Sequence, residues 1–278
     1  MPNTVRSRAA TGDRAPGLID SSAIFATLLY ENKASLKFGG TDEYVTGPST
    51  GSLGLTFTNK LSVGIWVKAN ETPHAFQGIA TGSTDWNVLN DGWGLYWHGT
   101  DDIAFFINNF SGQPQAKFFN MSDVTVWNFI VGTYDGTLLN DNLKVYVNAV
   151  LDEGATGTVG ANITTQTANI ELGRVGNINV PEADYAVANM DEFGLWNTGL
   201  SSDEVTALYN NGVPINLAVN SGNYVSAANL ALWWRCGDKG DSNTSNGIQD
   251  QRGTDDSSPG TMTNMEDGDI DTVVFAGA

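Results

Sequence analysis

The strongest constraint on the fold is the stretch 124–148, VTVWNFIVGTYDGTLLNDNLKVYVN. Leu143, Val145 and Val147 alternate with Lys144, Tyr146 and Asn148. Successive side chains of a strand point to opposite faces, so this run has one aliphatic face and one mixed face. In the preceding run Trp127, Phe129 and Val131 alternate with Asn128, Ile130 and Gly132. Both of its faces are partly apolar, as expected of an interior strand. Asp135-Gly136 opens the connection and Asn140-Asp141-Asn142 closes it. Such residues tolerate positive φ and bond to their own backbone, so they reverse the chain. The pattern predicts an antiparallel pair in the middle of a β-sandwich.

The same residues, W-x-x-x-x-G-T-Y-D-G and then L-x-V-Y-V-N, resemble the laminin-G-like jelly rolls of the concanavalin A-like lectin/glucanase superfamily. The likeness continues in order along the chain. Residues 35–45 look like that family's opening strand, 61–68 its next long strand, and 170–174 and 190–196 its late strands. A short helix before Tyr209 also fits; Ser201 and Glu204 have the spacing of a capping box. Val205, Leu208 and Tyr209 share one helical face, and Asn211-Gly212 and Pro214 stop the helix. The resemblance implies an all-β, two-sheet antiparallel jelly-roll sandwich with one short helix over 34–217. An N-terminal arm, 1–33, precedes it. A C-terminal extension, 218–278, is packed on the sandwich or exchanged between sandwiches. This fold hosts many functions, so it fixes none.

With 32 glycines among 278 residues and 41% hydrophobic residues, the chain suits a turn-rich globule, not a disordered polymer. A net charge of −18 repels nucleic acid and anionic membranes, which argues against either as a partner. Cys236 is the single cysteine, so no internal disulfide forms. The N-terminal residues lack the apolar run of a secretion signal, and no stretch is long enough to span a bilayer. Extracellular lectin-like sandwiches usually carry such a signal and often disulfides. The expectation is a chain made in the cytoplasm of a host and carried on a virion, since phage proteins fold inside the host and act after lysis.

The flanks point the same way. Arg6, Arg8 and Arg14 face only Asp13 in the first residues. They read either as a solvated tail or as an assembly arm that docks on an acidic surface of another virion protein or another copy. Ile24–Tyr30 reads as a strand or a short helix. At the other end Trp233-Trp234-Arg235, then Asp250-x-x-Gly253 and Gly260-Thr-x-Thr-Asn264, resemble the segment that often flanks laminin-G-like domains in phage structural proteins. From Cys236 onward Lys239 and Arg252 stand against nine carboxylates. That is a solvated acidic extension, or the mate of another copy's basic arm.

Candidate chemistry concentrates in 71–123. Trp93, Leu95 and Trp97 alternate with Tyr96, which puts the first three on one face as sandwich core. Trp66 also reads as core. Trp86 sits in a turn, among Asn87, Asn90, Asp91, His98 and Asp101. Flat rings stack on the apolar faces of sugars, and amides, carboxylates and imidazole bond hydroxyls, so these six form the candidate glycan-binding set. His98 otherwise reads as an edge histidine. With only His74 and His98 present, a histidine triad or zinc site is poorly supported.

The glucanase branch of the superfamily uses a strand E-x-D-x-E or E-x-D-x-x-E. Here Glu182-x-Asp184 begins that pattern, but Ala186 and Val187 stand where the second glutamate belongs. Asp191 and Glu192 are adjacent, so in a regular strand they face opposite sides. The chain is expected not to be an enzyme. The resemblance further implies calcium at a sandwich rim, with Asp42, Asp135, Asp141 and Asp191 as oxygen ligands. Gly39 and Gly40 stand where the family often has aspartate, and the four otherwise read as turn aspartates. The leading expectation is a non-enzymatic phage virion component, a capsid decoration or tail fibre, with weak adhesion to host surface glycan. The alternative is a free lectin, with a polysaccharide hydrolase behind both.

Overall fold

The computed structural model describes residues 30–49, 51–53, 60–83, 92–107, 115–151, 168–175, 185–238, 247–252, 258–274 and 276–277. The chain divides after Glu31, and the unit Asn32–Ala278 holds the sandwich. Its strands are β1 (Ser35–Gly39), β2 (Tyr44–Ser49), β3 (Lys60–Ala69), β4 (Gly78–Thr81), β5 (Trp93–Trp97), β6 (Asp102–Ile107), β7 (Gln115–Asn120), β8 (Asn128–Asp135), β9 (Leu143–Val147), β10 (Val150–Leu151), β11 (Asn169–Leu172), β12 (Val187–Trp196), β13 (Leu230–Trp234), β14 (Thr261–Thr263) and β15 (Ile270–Asp271). One sheet runs β10-β9-β8-β3-β12-β1-β15, with β13 also on β12. The second runs β14-β2-β11-β4-β5-β6-β7. The architecture is the two-sheet antiparallel jelly roll expected from the sequence, with one short helix, α1 (Ser202–Tyr209), among the described residues.

Alternation places the core. Leu143, Val145 and Val147 of β9 point between the sheets, as do Trp93, Leu95 and Trp97 of β5. The β8–β9 pair forms with Ile130 opposite Val147 and Tyr134 opposite Leu143. It lies nearer one edge of its sheet than the middle, because only β10 follows β9. Trp66 is buried, but on the outer face of β3, between Phe129 and Tyr209 of α1. The helix begins with the expected capping box: Ser201 Oγ accepts from Glu204 N, and Glu204 Oε2 accepts from Ser201 N.

The C-terminal segment supplies strands to both sheets. β13 pairs with β12, β15 with β1 and β14 with β2. Trp234 is wholly buried between the sheets, and its Nε1 donates to Ser258 O at 3.0 Å. Gly47 leaves room for it, since a Cβ there would lie 2.3 Å from the indole. Asp250 accepts from Trp233 N and from the Arg252 guanidinium. Asn264, with φ +56°, donates to Asp42 Oδ2 at 3.0 Å. The W-W-R residues, Asp250 and Asn264 thus join this segment to the sheets, and Gly253 of the D-x-x-G pattern lies outside the described residues.

β12 departs from regular strand geometry. Its register with β3 shifts between Asp191 and Gly194, and Glu192 has φ +50°. Such a bulge breaks the alternation. Asp191 and Glu192 therefore do not face opposite sides as expected; both turn to the outer side of the sheet and are buried. Glu192 accepts from Trp233 Nε1 at 2.7 Å and from Arg235 Nε at 3.0 Å. Arg235, only 3% exposed, also donates to Asp238 Oδ2 at 3.0 Å. Asp191 Oδ2 accepts from Asn32 Nδ2 and Ala276 N, while its Oδ1 has no partner among the described residues. Burial pushes the Asp191 carboxyl well above the usual carboxylate range, and the charges of Glu192 and Asp238 push it further.

Two outcomes follow for stability. Removing one partner of a buried ion pair leaves a charge uncompensated, so Arg235→Met should lower unfolding free energy by about 3–5 kcal/mol. Pairing it with Glu192→Leu should recover much of that loss in denaturant titrations. Asp191 binds its proton in the folded state at pH values where the unfolded chain, near pKa about 3.9, has lost it. Its contribution is therefore full below that value and lost as pH rises through the folded pKa. Asp191→Asn should raise the unfolding midpoint at pH 7–8 relative to the parent, with the difference shrinking toward pH 4.

Candidate functional site

The site is built on the outer face of the second sheet, at the end where β5 turns into β6. The segment before β4 is fastened there by one amide. Buried Gln77 accepts from His74 N through Oε1 and donates through Nε2 to Tyr185 O, each at 2.9 Å. Phe76 N donates to Trp97 O, and Trp97 N donates to Gln77 O. Between these bonds Phe76 takes φ +74°, a left-handed conformation that bulky residues rarely adopt. Backbone strain of that kind persists only where the surroundings enforce it.

The result is an aromatic platform. The Phe76 ring lies near-parallel to Tyr96, centroids 6.0 Å apart, and meets His98 edge-on at 6.4 Å. Tyr96 is backed by Phe106 at 5.7 Å. Phe76 itself is only partly buried, and His98 is exposed. Burial raises the Tyr96 hydroxyl pKa to about 12, so it stays a neutral phenol at ordinary pH.

A polar rim adjoins the platform. His98 N donates to Asp102 O at 2.8 Å, and His98 Nδ1 lies 4.0 Å from Asp102 Oδ2. Asn120 of β7 donates from Nδ2 to Asp102 Oδ1 at 3.1 Å. Asp101, partly exposed, holds Met121 N with its backbone carbonyl. Ring faces beside hydroxyl acceptors and amide donors make a surface able to hold a polyol. Among the described residues there, none is placed as a nucleophile beside a base.

Of the six glycan residues expected from the sequence, the structure brings His98 and Asp101 together at this end. Trp86, Asn87, Asn90 and Asp91 lie outside the described residues, as do Arg6, Arg8 and Arg14 of the arm. Phe76, Asp102 and Asn120 complete the patch. Asp102 lies in the same polar stretch as Asp101. Nothing in the sequence marks Phe76, whose position depends on a backbone conformation that composition does not encode.

Farther along the same face, Arg174 lies 3.4 Å above the Tyr44 ring and forks onto Glu171 through Nε and Nη2. Burial disfavours its charge, but Glu171 more than offsets that and raises the guanidinium's pKa further above its usual value.

The calcium candidates are dispersed. Asp42, in the β1–β2 turn, is bonded by Asn264. Asp135 ends β8, where burial opposes its charge but Thr137 and Lys60 hold its carboxyl below the usual range. Asp141 is exposed in the β8–β9 loop with φ +51°, and Asp191 lies in the buried network of β12. Among the described residues no three His, Cys, Asp or Glu side chains are grouped to hold a metal ion. The four aspartates do not form a calcium site together.

No curated protein matches this chain. Among solved structures, a candidate carbohydrate-binding protein of Bacteroides ovatus superposes with TM-score 0.58 at 15% identity, over 84% of this chain and 59% of that one. The chain thus spans less than two thirds of that relative, and at such identity the likeness shows the fold alone. The CBM40 domain of the Ruminococcus gnavus IT-sialidase, bound to α2,3-sialyllactose, gives TM-score 0.48 at 16% identity, over 64% of this chain and 97% of the domain. A SAP-like pentraxin of Limulus polyphemus gives 0.48 at 13% identity, over 84% and 97%. The laminin-G model described as the concanavalin A-like lectin/glucanases superfamily matches residues 38–206, more than half of the sequence, and the chain belongs to that family.

Proposed function

We propose that the chain is a non-enzymatic glycan-adhesion sandwich carried on a phage particle. The observation that carries the adhesion reading is the Phe76 platform: a partly exposed ring fixed by the Gln77 clamp, beside His98, Asp102 and Asn120. Sites that hold small polar ligands combine flat apolar surface with a few placed polar groups, and this end of the sheet does so.

The non-enzymatic reading is supported by the acids of β12. Asp191 and Glu192 are both buried, one bonded to Asn32 and Ala276 and the other to Arg235 and Trp233. Neither reaches a substrate. Ala186 is wholly buried where the glucanase pattern wants a carboxylate. The particle setting rests on the C-terminal motif and the basic arm of the sequence.

Two experiments test the proposal. On a glycan array the full chain should bind saturably. Phe76→Ala should weaken that binding about tenfold, the equivalent of about 1.4 kcal/mol, with an unchanged circular dichroism spectrum. Retained affinity in a folded variant would refute the platform. For the particle setting, deleting residues 1–31, which keeps Asn32 in place on Asp191, should strip the protein from purified phage while the sandwich still folds. Undiminished incorporation would remove the anchoring role of Arg6, Arg8 and Arg14.

A further inference from the structure

We infer that the Phe76–His98 face takes uncharged, hydroxyl-rich sugars and excludes sugars that carry a carboxylate; this rests on the glycan-adhesion reading above. The warrant is the balance of charge around the platform. Asp101 and Asp102 both stand partly exposed at its rim. Asp102 Oδ1 takes the amide of Asn120, and its Oδ2 faces His98 Nδ1 at 4.0 Å. A ligand hydroxyl can donate to these carboxylates. A ligand carboxylate has no proton to offer them and meets two like charges.

A face built for acidic sugars needs a cation within reach. The outer face of this sheet has one candidate among the described side chains, Arg174, and it is committed. Its Nε and Nη2 are bonded to Glu171, its plane rests on Tyr44, and the pair is 16% and 7% exposed. An arginine whose fork is filled by one carboxylate cannot offer that fork to another. Among the described side chains, His98 is the remaining group that can carry positive charge at the platform, and Asp102 stands against it. The net charge of −18 adds a long-range field of the same sign. The hydrogen-bonding groups of the rim thus match hydroxyls, and their charge rejects anions.

The test is calorimetric titration of the full chain with neutral hexose oligosaccharides and with the same oligosaccharides ended by sialic acid or a uronic acid. Neutral members should bind at least tenfold tighter than their acidic counterparts. Raising salt from about 0.05 to 0.5 M should narrow that gap, because screening weakens repulsion between exposed charges. Asp102→Asn should narrow it too. Asp101→Asn is a second variant that leaves the Asn120 bond in place, and it should act in the same direction. Equal or tighter binding of acidic sugars by the parent would overturn the exclusion and leave the adhesion reading standing. Failure of every sugar to bind would overturn both.

Discussion

The fold depends on how β12 deals with two acids. A strand with partners on both sides is a poor place for carboxylates, since each is stripped of water. The bulge at Glu192 turns both outward from the core, and Arg235 then compensates Glu192 from the neighbouring segment. The Trp233-Trp234-Arg235 run that carries Arg235 also sends Trp234 inward to fill the space between Gly47 and Gly260. One short stretch thus fixes the C-terminal segment through an ion pair on one face and an indole on the other. β14 and β15 follow from that anchorage, and they extend both sheets.

Much of this frame was legible in the sequence because it rests on period two. Leu143, Val145 and Val147 announce their face, and Trp93, Leu95 and Trp97 separate from Tyr96 by the same rule. The helix was legible for another local reason, the Ser201–Glu204 spacing. What failed to appear has a common cause. A bulge adds one residue and resets the alternation, so Asp191 and Glu192, which regular alternation puts on opposite faces, share one side in the folded strand. Trp66 reads as core in the sequence, and it is buried, but against α1 and not between the sheets.

The site was less legible than the fold. His98 and Asp101 stand out by composition, as polar groups near aromatics, and the structure places both where β5 turns into β6. Phe76 does not, because its exposure depends on Gln77 reaching Tyr185 far along the sequence. Long-range bonds of that sort have no local signature. The same holds for Arg174, which the sequence shows only as the end of a late strand. Only the packing on Tyr44 and Glu171 reveals that its charge is consumed within the fold.

In the proposed reading, frame and site divide the work: Arg235 and its neighbours hold the sandwich, and the Phe76 end of the opposite sheet is the face offered to the ligand. Backbone amide chemical shifts, followed by NMR as a bound neutral oligosaccharide is titrated in, test it most directly. The account predicts that the largest changes centre on Phe76, Gln77, His98 and Asp102, while Glu192, Trp233 and Arg235 stay still. Changes centred on β12 and β13, with a silent Phe76, would contradict it.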